Sequence, residues 1–430
     1  MRVAILTMFN GLSNTYSLVN VVAEQLKMLL DDGVNVKMLV SESCPDSDRY
    51  GIFLDTRIEW IKIVNSRGGV PFYWKTYTKA TDKIEKSFYD ESDIIAEDFK
   101  KHLANVDVCI MHDILYQGVH LLHNVAIRKA QLALSNVKFL SFTHSAPATK
   151  IDAPYPINCM FSDMPNTTFI YPTECGLPAL SKQYGVGVEK CVAINNSVDT
   201  LIGVQNETKI IAQNIDLFSK DVLIVYPARL NMSKRFHIIA QFGGLMKQYC
   251  KKNVGIIFCD FASADINPET YKLIISDYGA QNGLDKNDLL FTSNCGFANG
   301  VKRETVFDLF ALSNLFMCPS YSESFGLTVI EAASRGNFIV LNEAVPALKE
   351  IGDSLNAYYM RWSARNFDFE TTETYHPNEQ LYYIENAQNI LIKMQNNPVI
   401  NAKTLARTRY SNCWIYQNQL KPLLQKLTQK

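Results

Sequence analysis

At 430 residues, 47% of them hydrophobic, the chain is too long for one ordinary core and apolar enough to fill two domains of about 200 residues each. Its 42 Lys and Arg balance 43 Asp and Glu to a net charge of −1, which excludes a global field for drawing in a polyanion; any nucleic-acid or membrane contact must be local. Ten cysteines show no C-x-x-C pair and no zinc spacing, so reduced, mostly buried thiols are expected. The first apolar run, Val3 to Leu6, is too short for a signal peptide and no later run approaches a membrane span, so a cytoplasmic protein is expected.

Short β-branched runs alternate with helical stretches from the start, the pattern of parallel sheets with crossover helices. Val3 to Leu6 reads as a strand, and Leu18, Val21, Val22, Leu26, Leu29 and Leu30 follow at helical spacing until Asp31-Asp32-Gly33 stops the helix. Val36 to Val40, Val106 to Met111, Lys138 to Phe142 and Phe169 to Tyr171 complete a first Rossmann-like series. A second series runs through Val222 to Tyr226, Val254 to Phe258, Leu289 to Phe291, Leu315 to Met317 and Phe338 to Leu341. The polar stretch 203–220 separates them and puts the boundary between 200 and 218. The division is 1–205, an acceptor domain; 206–400, a donor domain; and 401–430, a helical tail packing back on the first domain. The expected fold is α/β, two Rossmann-like domains whose parallel sheets face each other across a cleft.

Pro227-Ala-Arg229-Leu-Asn-Met-Ser-Lys234 lies where a strand ends and a helix begins. Ligands bind at such junctions in parallel sheets, because helix N-termini offer free N–H groups and a positive dipole end. Arg229 and Lys234 add two cations suited to a diphosphate and to charge building on a phosphate leaving group; alone, a solvated basic helix start explains them equally well. The segment Pro319-Ser-Tyr-Ser-Glu323-Ser324-Phe325-Gly326-Leu327-Thr-Val-Ile-Glu331 also follows an apolar strand. Gly326 lets a backbone approach a ligand, and Glu331 sits among Val329, Ile330, Ala332 and Ala333, where burial without a partner is costly. A carboxylate there suits a ribose diol.

The R-x4-K after one strand and the E-x7-E around Phe-Gly after another resemble the group 1 glycosyltransferases, family 4 of the retaining GT-B enzymes; the match is best over 220–352. The resemblance implies a metal-independent, retaining transfer from a nucleotide diphosphate sugar, with a UDP-sugar favoured. No other cofactor is implied, and domain closure would exclude water. It assigns Arg229 and Lys234 to the diphosphate, Glu323 to the region of the donor sugar, and Glu331 to the ribose. Gly11, Ser324, Phe325, Gly326 and Leu327 would complete the donor contacts.

Phe142-Thr-His144 resembles the family segment whose His lies near donor sugar and acceptor, which makes His144 the catalytic-centre histidine of the first domain. Ile194-Asn-Asn-Ser-Val-Asp199 resembles the turn that closes that domain, with Asn195 and Ser197 in place of Pro and Gly. Other departures are Phe9-Asn-Gly11-Leu-Ser13, where a Gly-Gly pair is usual, and Cys259-Asp260-Phe261, where Gly-x-Gly is common and the base pocket is formed. His112-Asp113 either binds a sugar hydroxyl or caps a helix. Arg67 to Lys79, with Trp74, Lys75 and Lys79, is either a covering loop or an acceptor surface of rings and cations. Acceptors implied are a glycan, a lipid-linked sugar or a small molecule, with a hydroxylated base in DNA as the minority alternative. A nucleotide-sugar epimerase would carry other cleft carboxylates, and a non-catalytic sugar-nucleotide sensor is the non-enzyme reading. Acceptor-dependent release of nucleoside diphosphate separates the three.

Overall fold

The computed structural model describes residues 1–263, 266–366, 369–372 and 378–429. Two compact units emerge, Met1–Val198 with Asn412–Lys430, and Asp199–Ser411. Each is a parallel sheet between layers of helix, the Rossmann-like architecture read from the alternation of strands and helices.

Unit 1 holds β1 (Arg2–Leu6), β2 (Asn35–Ser41), β3 (Ile58–Ile63), a small antiparallel hairpin β4 (Ser66–Arg67) and β5 (Val70–Pro71), then β6 (Val108–His112), β7 (Lys138–Phe142), β8 (Thr167–Tyr171) and β9 (Cys191–Ala193). The main sheet runs β3-β2-β1-β6-β7-β8-β9. Side chains of β1 alternate between two buried layers: Val3 and Ile5 join one apolar cluster, Ala4 and Leu6 the other. A strand covered on both faces needs an unbroken apolar run, which is why β1 has no polar alternation.

The chain steps from β1 to β2 and β3 on one side, then returns to β1's other edge for β6. The topological switch point therefore lies between the carboxyl ends of β1 and β6, the place where open α/β sheets bind ligands. Leu6 pairs with Met111 at this edge.

Unit 2 holds β10 (Val222–Arg229), β11 (Val254–Phe261), β12 (Leu289–Phe291), β13 (Leu315–Cys318), β14 (Phe338–Asn342) and β15 (Tyr358–Met360), in the order β12-β11-β10-β13-β14-β15. Here the switch point falls between β10 and β13, so the loops after these two strands define the ligand edge.

The C-terminal segment belongs to unit 1 by contact. Asn195 donates its backbone N–H to Gln419 Oε1 at 2.8 Å and accepts from Gln419 Nε2 at 2.8 Å, while its own side-chain amide donates to Pro172 O at 2.6 Å. Proline at 195 could supply neither the N–H nor the amide. This departure from the family pattern is thus used to tether the tail. All ten cysteines are free and six are buried, which fits the reduced thiols expected from their spacing. Among the described residues no helix is long and apolar enough to cross a membrane.

Candidate functional site

Both loaded segments of unit 2 reach the same switch point. Arg229 is the last residue of β10 and is exposed, with no ion pair among the described residues. The chain then makes a short 3-10 turn, Met232–Lys234, capped by Asn231, whose side chain accepts from Ser233 N at 2.8 Å. Lys234 emerges from this turn, and its Nζ lies 2.5 Å from Glu323 Oε1 in the loop after β13. The two loops are stitched together by the Tyr321 N–H donating to Ser233 O at 3.0 Å. The buried Tyr226 hydroxyl adds to this by donating to Lys234 O at 3.1 Å and lying 3.2 Å from Ser320 Oγ.

Gly326 caps the helix Leu327–Ser334 with φ of 82°, a left-handed conformation that a glycine adopts without strain. A Cβ there would lie 3.1 Å from both Leu348 and Val329. The amides opening this helix have no intrahelical acceptors. Ser324, Phe325 and Leu327 are exposed around this opening.

Glu331 is one turn further along that helix and is buried, with its Oε1 taking Arg303 Nε at 2.9 Å and Nη2 at 2.8 Å. Burial is thereby compensated on one oxygen, and Oε2 is left for another partner. Sequence reading missed Arg303, because a partner 28 positions away on another helix leaves no local signal.

Arg235 was also missed. It takes φ of 53° at the start of the helix Phe236–Cys250, is buried, and lays its guanidinium 4.2 Å from the Tyr321 ring centroid. Asp260, where a glycine-rich pattern is common in the family, is buried at the end of β11. It accepts from Ser293 N at 3.0 Å and Ser293 Oγ at 2.6 Å, so this edge is fastened by a carboxylate.

In unit 1, His112 ends β6 and His144 follows β7, so both lie at the ligand edge of that sheet. His112 Nδ1 is 2.8 Å from His144 Nε2, and His112 Nε2 is 3.0 Å from Gln25 Oε1 on the helix Ser17–Asp31. Asp113, with φ of 60°, accepts the His144 backbone N–H at 3.0 Å on Oδ1. Neither residue caps a helix; the pair organises the turn after β6 instead. Burial pushes the Asp113 carboxyl up to about 6, against the opposing bonds from His144 and Gln117. Burial pulls the His144 imidazole down to about 4, and His112 well below its usual range. Gly11 sits in the loop after β1, where a Cβ would approach Asp48 Oδ2 to 2.9 Å.

The 67–79 segment divides. Phe72 and Tyr77 are buried, as the covering-loop reading requires, and Tyr77 N donates to Gly118 O at 3.2 Å. Trp74 is half-buried, 5.2 Å from the His123 ring. Trp74 and Lys75 line a shallow pocket of about 440 Å³ with Tyr73, Ser87 and Glu91. Lys79 is not part of it: its backbone N–H is held by Asp82 Oδ2 at 3.0 Å in the next turn.

Comparison with known proteins bears on unit 2. The family model of glycosyl transferases group 1 matches residues 207–358, which contain all of β10 to β14. No curated protein matches the chain. Among solved structures, a glycosyltransferase from Rickettsia africae is 14% identical, covering 100% of this chain and 98% of its own, with a TM-score of 0.37. HepE from Anabaena, solved in complex with UDP-glucose, is 14% identical over 98% of this chain and 99% of its own, with a TM-score of 0.34. Sucrose-phosphate synthase from Thermosynechococcus elongatus is 14% identical over 99% of both chains, with a TM-score of 0.36. These scores leave the weight on the family match, whose span holds the R-x4-K turn, the E-x7-E loop and the switch point between them. Over residues 207–358, within its second unit, the chain matches the family of glycosyl transferases group 1.

Proposed function

We propose that the chain transfers a sugar, with retention, from a nucleotide diphosphate sugar to an acceptor hydroxyl, with no metal ion in the chemical step. The observation that carries this reading is the convergence of Arg229, Lys234 and the helix opening at Gly326 on one switch point. Two cations and a helix N-terminus supply the charge that a diphosphate leaving group needs, so Arg229 and Lys234 take the diphosphate. Glu323 lies toward the donor sugar. Glu331 Oε2, left over by Arg303, accepts from the ribose. His144 and His112 serve the acceptor side.

In the transfer, the bond from the anomeric carbon to the phosphate oxygen breaks with its electron pair going to the phosphate. The acceptor oxygen forms its new bond on the same face, and its proton passes to the leaving phosphate. Incubation with UDP-, GDP- and ADP-sugars in excess chelator is expected to give full, acceptor-dependent release of the nucleoside diphosphate from one donor. The anomeric configuration of the product is read by proton NMR. A strict Mn²⁺ or Mg²⁺ requirement, or inversion at the anomeric carbon, contradicts the reading.

The acceptor read here is a glycan, a lipid-linked sugar or a small molecule, placed against Trp74 and Lys75 at the unit 1 pocket. Aromatic faces stack on sugar rings, and Glu91, whose Oε2 is buried without a hydrogen-bond partner, is an acceptor for a hydroxyl at the pocket wall. Lys75, Lys79, Lys83 and Lys86 alternate with Asp82, Glu85, Asp90 and Glu91, a balance that gives a DNA backbone little purchase. Trp74→Ala with Lys75→Ala is expected to raise the acceptor KM by about tenfold, as for loss of one stacked ring, with donor binding unchanged. Unchanged acceptor kinetics would return this segment to a covering role. Activity on duplex DNA that collapses with added salt would install the nucleobase as acceptor.

A further inference from the structure

We propose that Gln25 is a positioning residue that sets, through His112, which nitrogen of His144 is a bare hydrogen-bond acceptor. The oxygen of a side-chain amide can only accept. At 3.0 Å from Gln25 Oε1, His112 Nε2 must therefore carry its hydrogen. A neutral imidazole has one N–H, so His112 Nδ1 is left with a lone pair. His144 Nε2, 2.8 Å from that lone pair, must donate to it. The one remaining ring nitrogen, His144 Nδ1, is then unprotonated and free to accept a hydrogen bond from a hydroxyl.

Burial keeps the chain of protons in one arrangement. Gln25 is 4% exposed and His112 1% exposed, so water does not compete for either bond. Both imidazoles are held neutral by desolvation, and His112 also by its neighbour His144. The His144 ring cannot swing away easily: its backbone N–H is held by Asp113 Oδ1, and it stacks on His112 at 5.1 Å and on Phe142 at 6.1 Å between centroids. An amide turned end for end would run the relay in reverse and present an Nδ1–H instead. Gln25 thus decides whether His144 accepts or donates at a sugar or acceptor hydroxyl.

The functional half of this inference rests on the reading of His144 as facing substrate; the proton pattern does not. The test uses the full chain with ¹⁵N-labelled histidine at pH 8, with His144→Gln to identify the His144 signals. Long-range proton–nitrogen NMR is expected to show His144 protonated at Nε2 and bare at Nδ1. Gln25→Met, close in volume but unable to accept, is expected to turn His144 into a mixture of tautomers and lower kcat/KM about tenfold. Gln25→Glu, which can only accept, is expected to keep the wild-type pattern and most of the turnover, which a purely structural role would not predict. UDP affinity is expected to stay unchanged in both variants. A wild-type His144 protonated at Nδ1, or an unaltered pattern in Gln25→Met, overturns the relay. A pattern that changes while turnover does not overturns the placement of His144 at substrate, and leaves the donor site of unit 2 standing.

Discussion

Replacing Glu323 by glutamine is expected to lower kcat by about 100-fold with little change in nucleotide affinity, whereas Glu331→Ala is expected to weaken UDP binding by about tenfold to a hundredfold. Glu323 is paired with Lys234 at 2.5 Å, so in the proposed reaction it holds the ammonium that meets the leaving phosphate. Its effect is felt most in the transition state, which is what a fall in kcat reports. In the proposed reaction the other carboxylate, Glu331, contacts the ribose in ground and transition state alike, so its loss is expected to appear in binding. Stability does not confuse the comparison. Arg303, left without Glu331, has 66% of its side chain in solvent and is not stranded in the interior. Kinetics against UDP-sugar, together with calorimetry of UDP binding, separates the two effects. Equal and small changes in both variants would remove the carboxylates from the site.

The split between these two carboxylates also shows what a sequence can convey. Strands such as β10 and β13 are legible because a strand buried on both faces must be an unbroken apolar run. β3 is not: it sits at the sheet edge and carries Glu59 and Lys62 outward, the charged protection edge strands need, so its apolar residues are interrupted. β9 and β15 span three residues each, too short to show a period.

The same contrast holds at the site. Arg229, Lys234, Glu323 and Glu331 stand out because their spacing is tied to the loops that follow two adjacent strands. Arg303, Arg235 and Gln25 do not. Arg303 reaches Glu331 from another helix, Gln25 reaches His112 across 87 positions, and Arg235 is marked by a backbone angle that no side chain announces. Residues whose partners are distant in the chain are set by three-dimensional neighbours, and they leave no local pattern.

Acidification is expected to destabilise unit 1 steeply between pH 6.5 and 4. Four histidines there, His112, His120, His123 and His144, form two hydrogen-bonded pairs, His112 with His144 and His120 with His123 at 3.2 Å. Burial lowers the affinity of all four for a proton, taking His120 and His144 down to about 4. An imidazole whose pKa is lower in the folded chain binds its proton more readily once unfolded. Its contribution is therefore fully present above about pH 6.5 and is lost as the pH falls toward 4. His120 and His144 together should remove on the order of 4 kcal/mol between pH 7 and pH 5, a large part of a typical domain's stability. Asp113 opposes them. Its carboxyl is pushed up to about 6, so the folded chain takes that proton more readily and gains stability as the pH falls from 6 toward 4. Glu91, whose carboxyl burial also raises, acts in the same direction, and two carboxyls against four imidazoles leave the net effect a loss. Urea unfolding followed by tryptophan fluorescence, reported by Trp60, Trp74 and Trp414 in unit 1 and Trp362 in unit 2, is expected to show a unit 1 midpoint lower by about 1 M at pH 5 than at pH 7. Asp113→Asn, which retains an oxygen for the His144 N–H but cannot take up a proton, is expected to widen that gap. A midpoint that holds or rises at pH 5 would mean that these histidines are solvated or already charged at neutral pH, and with them would go the neutral relay from Gln25 to His144.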